Sequence, residues 1–276
     1  MRFLLLLHCL ALLVPGAENP LEIVRRAVAR DQDNLQRVKD YTFEYRVEKR
    51  KLNPDGEVAS RESKTFDVLI LGGEPYERLI QKDDRPLDAE EEKEAQEKLE
   101  RTLRKLREET PAQKAKRLAK AEKERREGQE LLREVPNAFR FDLVGEDRVD
   151  GRAVWVIRAE PRPDYQPRVR QANILKKLRG TVWVDKNEYQ VVRVDAEPVD
   201  TISFGLFLAR LGKGSRVQFR QTRVHNELWL PEEVQVKVDG RMALVRKLNQ
   251  EILITFRNYR KFQSDSRLVS AAELPR

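Results

Sequence analysis

Cysteine and histidine are nearly missing from this chain. Cys9 is the one cysteine among 276 residues, and His8 and His225 are the two histidines. A lone cysteine excludes a disulfide framework and any multi-cysteine metal site. Two histidines leave too little for a histidine-built metal centre. No Gly-x-Ser-x-Gly elbow is present, so nucleophilic triads lack their parts. Gly212-Lys213-Gly214-Ser215 puts a lysine between glycines, but Gly205 stands at the wrong spacing for a phosphate loop. It reads as a flexible turn, as does His225-Asn226. Acidic residues are plentiful yet fall in no paired motif. The sequence therefore predicts no catalytic residue, no metal and no cofactor.

The N-terminus carries a clearer signal. Met1-Arg2 precedes an apolar run from Phe3 to Val14, interrupted only by His8 and Cys9 and followed by Pro15-Gly16-Ala17. A positive start, a short apolar core and a small-residue exit describe a secretory signal peptide over residues 1–17. The run falls short of the roughly 20 residues that span a bilayer. Cys9 follows His8 in mid-run, which is not the setting of a lipoprotein cysteine. Export without disulfides points to a bacterial periplasm or cell envelope. The full chain has a formal charge of +8 and loses Arg2 with the signal peptide; the remaining positive excess thus faces a compartment without nucleic acid, and nucleic-acid binding is not expected.

Residues 18–276 read as one domain. Leu21, Val24, Val28, Leu35 and Val38 recur at helical spacing. At Tyr41 the period becomes two, with Tyr41, Phe43, Tyr45 and Val47 alternating with polar residues, the mark of a half-buried strand. Asn53-Pro54-Asp55-Gly56 is a turn, and strands follow at about 63–71 and 75–81. Residues 82–134 break this pattern with 16 basic and 16 acidic side chains. Two capping boxes, Asp88 to Glu91 and Thr110 to Gln113, predict two helices inserted as an arm or a packed hairpin. Leu99, Leu103 and Leu106 mark the apolar stripe of the first, and Ala115, Leu118 and Ala121 that of the second. Strand patterning resumes at Phe139 and runs through hairpins at Asp150-Gly151, Lys186-Asn187 and His225-Asn226 to about Phe262. The expected fold class is mostly β with helices (α+β): a large curled antiparallel sheet of about nine to eleven strands, an open half-barrel. An N-terminal helix and a charged helical hairpin complete it.

This layout resembles the bacterial outer-membrane-lipoprotein-sorting (LolA-like) family of periplasmic half-barrels. The resemblance rests on Tyr41-Thr42-Phe43, Gly180 to Lys186, Trp229-Leu230-Pro231 and the closing Phe256 to Phe262. It is also similar in layout to uncharacterised exported proteins that carry a helical insert. The resemblance implies an open antiparallel barrel with helices at its mouth, and a lipid or lipoprotein acyl chain as ligand.

Two further segments bear on ligand. Thr201 to Leu211 is dense in apolar residues and lacks the two-residue period, so it is expected as a short helix or loop forming a lid over the sheet. Ile202, Phe204, Leu206, Phe207 and Leu208 are its candidate ligand contacts. Trp155, Trp183 and Trp229 are candidates to line the same cavity. The positive charge gathers in two places, residues 158–179 and 210–224. Arg168, Arg170, Lys176, Lys177 and Arg179 in the first, with Arg210, Lys213, Arg216 and Arg220 in the second, are expected to form a basic rim. An apolar cavity with such a rim suits an acylated amphiphile with an anionic head, or an anionic membrane surface. A non-enzymatic envelope carrier is the leading expectation. The alternative is an interaction or sensor protein whose helical hairpin docks an envelope protein.

Overall fold

Helix α1 (Pro20–Val38) is capped by Asn19, whose side chain accepts the Leu21 N–H at 3.0 Å, and Pro20 opens its first turn. It belongs to a computed structural model that describes residues 18–39, 41–204, 209–242 and 246–261. The expected signal peptide lies outside the described residues. None of the described helices is long and apolar enough to cross a membrane.

Strands β1 (Tyr41–Leu52), β2 (Val58–Leu71) and β3 (Glu74–Lys82) follow as antiparallel hairpins, with a short β4 (Arg85–Pro86) after them. The β1–β2 turn takes the expected form. Gly56 has φ of +87°, and the Asn53 side chain accepts the Glu57 N–H at 2.8 Å. After the helical insert come β5 (Phe139–Val149), β6 (Arg152–Pro161), a 3-10 helix (Arg170–Lys177), β7 (Leu178–Asp185) and β8 (Val191–Pro198). The chain closes with β9 (Ile202–Phe204), β10 (Ala209–Leu211), β11 (Arg216–Val224), β12 (Leu228–Met242) and β13 (Arg246–Lys261). His225 and Asn226 have φ of 50° and 56° in the three-residue β11–β12 loop, the left-handed pair of a type I′ turn closed by the Glu227 N–H donating to the Val224 carbonyl at 3.0 Å.

All these strands join one antiparallel sheet; eleven follow the order β4-β3-β2-β1-β13-β12-β11-β8-β7-β6-β5, and β9 and β10 branch from it, β10 pairing with β12 and β9 with β10. The first and last long strands meet in its middle, with Val47 opposite Ile254. Register shifts interrupt the β1–β13, β5–β6, β7–β8 and β11–β12 ladders; such bulges increase local twist and bend a sheet. Helix α1 crosses one face, here termed inner, and buries Ile23, Val24 and Ala27 against β5, β6 and β7. Toward its end, Val38 reaches Tyr41, Leu228 and Leu230.

The insert departs from a packed hairpin. Both capping boxes form as expected, at Asp88/Glu91 and Thr110/Gln113. Helix α2 (Ala89–Arg107) lies on β3, with Arg78 Nη2 donating to Glu92 Oε1 at 2.9 Å, and it buries Ala95, Leu99 and Leu103. Helix α3 (Pro111–Ala138) does not run back along α2. Its start is tied to the β2–β3 turn, where Arg117 donates to the Gly72 carbonyl at 3.1 Å and Leu118 stands beside Gly73. Its end packs on α1, β5 and the 3-10 helix. Four residues beyond the expected limit at 134, it runs straight into β5. At 1.5 Å per residue, the stretch from Arg117 to Ala138 spans about 30 Å, enough to join opposite ends of the sheet. The physical reason is that few apolar side chains are available for α2 and α3 to share. Leu99 and Leu103 face the sheet, and Leu131 and Val135 face α1's cluster.

Candidate functional site

Between α1, the end of α3 and the inner face lies a cavity of about 320 Å³. Its walls are apolar. Val24, Ala27 and Val28 come from α1, Leu132 and Val135 from α3, and Phe139 and Phe141 from β5. Val182 and Val184 on β7, Val191 and Val194 on β8 and Phe219 on β11 complete the floor. Two-residue alternation explains most of the floor, and the register shift at Trp183/Val184 in the β7–β8 ladder lets Val191 and Val194, three residues apart, share the inner face. Gly180 contributes by lacking a side chain, since a Cβ there would sit 2.4 Å from the Asp195 carbonyl oxygen.

The apolar floor continues past the cavity. Phe219 pairs with Val234, Val234 with Ile254, and Ile254 with Val47. Tyr45 then stacks on Phe66 with ring centroids 5.1 Å apart and lies 6.1 Å from Phe256. Phe43, Tyr45, Phe66, Phe256 and Tyr259 are all only half-buried. Helix α1 shields the β5–β8 half of this face, leaving an aromatic trough on β1, β2 and β13.

Two ionisable residues, Arg179 and Asp31, belong to the cavity wall among these apolar groups. Asp31 Oδ1 accepts a hydrogen bond from Gln190 Nε2, and Gln221 bonds the same carboxyl. Asn34 Nδ2 in turn donates to Gln190 Oε1 at 2.7 Å. Burial pushes the Asp31 carboxyl up from 3.8 to about 7, against the opposing effect of the two glutamine bonds. The residue was open to discovery from sequence. Val24, Val28, Asp31 and Leu35 fall on one helical face, so a carboxyl interrupts an apolar stripe. Gln190 and Gln221 carry no such signal, being 159 and 190 positions away.

The residues expected to gather at a lidded cavity divide between both faces. Trp155 is buried on the inner face against Tyr189, with ring centroids 5.2 Å apart. Trp183 and Trp229 belong to a separate cluster with Val154 and Val192 on the outer face. There Arg193 lies over Trp183, and Trp229 Nε1 donates to Glu188 Oε2 at 2.9 Å. The three tryptophans therefore do not line one cavity. The expected helical or looped lid is instead a strand pair: Ile202 opposes Leu211, Phe204 opposes Ala209, and β10 adds to the end of β12. Ile and Phe favour strands, and the long β12 offers backbone groups to pair with. Ile202 is buried but does not line the cavity; Leu206, Phe207 and Leu208 lie outside the described residues.

The basic segments also separate. Arg179 and Arg216 lie on the outer face, bonded to Glu197 at 2.7 Å and Asp195 at 2.6 Å. Arg220 stands 3.5 Å from Glu232, and Lys177 donates to the Thr201 carbonyl at 2.7 Å. Arg168, Arg170 and Lys176 are exposed on the 3-10 helix and the loop before it, and Lys213 is exposed in the β10–β11 turn. Arg210 sits on β10 opposite Ser203. Outer-face arginines alternate with carboxylates because adjacent strands carry opposite charges at paired positions. Among the described side chains, these bases do not gather into a single cationic rim.

Fold and cavity together define an open, curled antiparallel sheet with a helix-roofed apolar pocket. Solved structures of similar layout include a putative outer membrane lipoprotein-sorting protein domain from Vibrio parahaemolyticus. It is 10% identical, with 89% of this chain and 95% of that chain covered and a TM-score of 0.37. A DUF1329 family protein from Desulfovibrio piger is 14% identical, covering 91% and 96% at a TM-score of 0.33. A LolA superfamily protein from Nitrosomonas europaea is 9% identical, covering 90% and 95% at 0.30. At TM-scores this low, the likenesses assign no function. No family model and no curated protein matches the chain.

Proposed function

We propose that this protein is a non-enzymatic carrier of the bacterial envelope, exported after removal of residues 1–17. It holds the acyl chain of a lipid or acylated amphiphile against its inner face. The observation that carries this reading is the continuity of the helix-roofed cavity, about 320 Å³, with the aromatic trough around Tyr45 and Phe66. Walls that are apolar apart from Asp31, Arg179 and Gln221 suit a chain held mainly by burial. Each CH₂ withdrawn from water contributes about 0.8 kcal/mol, so a chain of roughly ten carbons gains some 8 kcal/mol before ordering costs. The exposed Arg168, Arg170 and Lys176 would help the carrier approach anionic headgroups.

Delipidated protein incubated with an envelope lipid extract, re-isolated and analysed by mass spectrometry tests the reading. Co-purification of acylated species at defined stoichiometry supports it. Val182→Trp and Val28→Trp, which fill the pocket, should abolish that recovery. Absence of any bound lipid in the native protein overturns the carrier function.

A second reading assigns the insert to partner docking. It rests on α3, whose stretch from Lys114 to Arg126 presents mostly exposed charges of both signs. Deleting the outer part of the insert discriminates: a carrier keeps its ligand, whereas a docking protein loses its partner.

A further inference from the structure

We propose that Asp31 is the head-group selector of the roofed cavity, and that the chain admitted there carries a protonated amine. This rests on the carrier reading, and it replaces an anionic head by a cationic one.

The hydrogen-bond partners of Asp31 are the uncharged amides of Gln190 and Gln221. No ion pair to it forms among the described residues. On its own helix, Arg30 and Asp33 are exposed, and Arg26 is bonded to the Tyr189 hydroxyl at 3.0 Å. From the β7–β8 turn, Glu188 is held by Arg152 and Arg223. From β11 and β12, Arg220 lies with Glu232 and Glu233. From α3, Arg133 is exposed and Glu134 accepts from the Tyr165 hydroxyl at 2.7 Å. Arg179, at the far wall, is bonded to Glu197 on the outer face. Every nearby cation is therefore engaged or solvent-facing, and Asp31 keeps acceptor capacity toward the cavity.

A fatty carboxylate entering this cavity would set two acids together without a countercharge. An alcohol would add one neutral hydrogen bond. An ammonium adds a charge-assisted bond in a poorly solvated place, which is stronger than a neutral one. Burial pushes the Asp31 carboxyl up to about 7. Amine binding should therefore weaken as pH falls below that value, because the carboxyl is then neutral. The amine stays protonated throughout, since an alkyl ammonium titrates near 10.4.

Decylamine, decanol and decanoate, each below its micellar concentration, are the probes. Binding to the full exported chain is followed by calorimetry at pH 8 and pH 6. Decylamine should bind at least about tenfold more tightly than decanol at pH 8, with decanoate weakest, and its advantage should shrink at pH 6. Asp31→Asn should bring amine and alcohol to the same affinity at both pH values. Equal binding of amine and alcohol by the native protein overturns the selector while leaving the carrier intact. Failure of all three probes to bind overturns both. Should Asp31→Asn not fold, the pH profile of the native protein decides alone.

Discussion

Replacing the Asp31 carboxyl by an amide should stabilise the fold, and only at pH values where the carboxyl of the unfolded chain is ionised. In the native structure burial raises this group from 3.8 to about 7. The sign follows from proton counting. Between these two values the folded chain binds more protons at this site than the unfolded chain, so its contribution to stability falls as pH rises and is fully lost above about 7. At about 1.4 kcal/mol per pH unit, the ionised carboxylate costs the fold up to ~4 kcal/mol. Partial solvent access reduces this, and about 1–3 kcal/mol is the expected gain for Asp31→Asn at pH 8. In a chain of this size that corresponds to roughly 2–4 °C in Tm per kcal/mol. Other carboxylates titrate as well, so the informative quantity is the difference in urea-unfolding free energy between variant and native, taken from pH 4 to pH 8. It should open from near zero at pH 4 and level off above pH 7. A difference independent of pH would refute the reasoning, since it would come from packing and not from the buried charge.

Glu48 should behave with the opposite sign. It is 2% exposed, and although burial alone would raise it, bonds from Arg46 and Arg50 hold it below the usual carboxylate range. Its stabilisation is complete above the unfolded value and is lost as pH falls; Glu48→Ala should cost about 3–5 kcal/mol at pH 7 by urea unfolding. Leu99→Ala, at a fully buried position under α2, should cost about 2–5 kcal/mol, measured the same way. Gly180→Val should destabilise by more than about 1 kcal/mol, because its Cβ would meet the Asp195 carbonyl oxygen at 2.4 Å. Unchanged thermal stability in that variant would show that β7 and β8 are not so close. Arg117→Ala, which frees the start of α3 from Gly72, should raise amide hydrogen exchange across α3 while leaving β1 and β13 protected.

Much of the scaffold was legible because its signals are local. Asn53 to Gly56, His225-Asn226 and both capping boxes each specify a backbone conformation within a few residues. The alternation at Tyr41, Phe43 and Tyr45 assigns a strand without knowledge of its partner. What remained hidden depends on partners distant in sequence. Composition shows that α2 and α3 are helices, but the separation of the two follows from Gly72 and α1, which receive them. Trp155 and Trp183 look alike in sequence, and an even separation of 28 residues does not fix a shared face across two strands and a 3-10 helix. The apolar run at Ile202 to Phe204 lacked a strand period because it is only three residues long. The positive segments looked free because the carboxylates opposite them, Glu197 and Asp195, lie on another strand.

The placement of α3 couples the roof of the cavity to the curvature of the sheet. β3 and β5 lie near opposite ends of the sheet order, and no hydrogen-bond ladder joins them. α3 is fastened to the β2–β3 turn at Gly72 and enters β5 directly at Phe139. Leu132 and Val135, near its end, form part of the cavity wall. A change in sheet curvature that widens the gap between β3 and β5 would therefore draw on the helix that roofs the pocket. Pro136 weakens α3 one turn before β5, since it cannot donate a backbone hydrogen bond, so that this end of the helix yields first. A ligand entering beneath α1 then has to displace Leu132 and Val135, whereas one lying in the trough near Tyr45 leaves them in place. Crosslinking α3 to α1 through paired cysteines at Leu132 and Val28 separates these routes. Loss of chain binding under oxidising conditions, restored by reductant, assigns entry to the roofed cavity; unchanged binding assigns it to the trough.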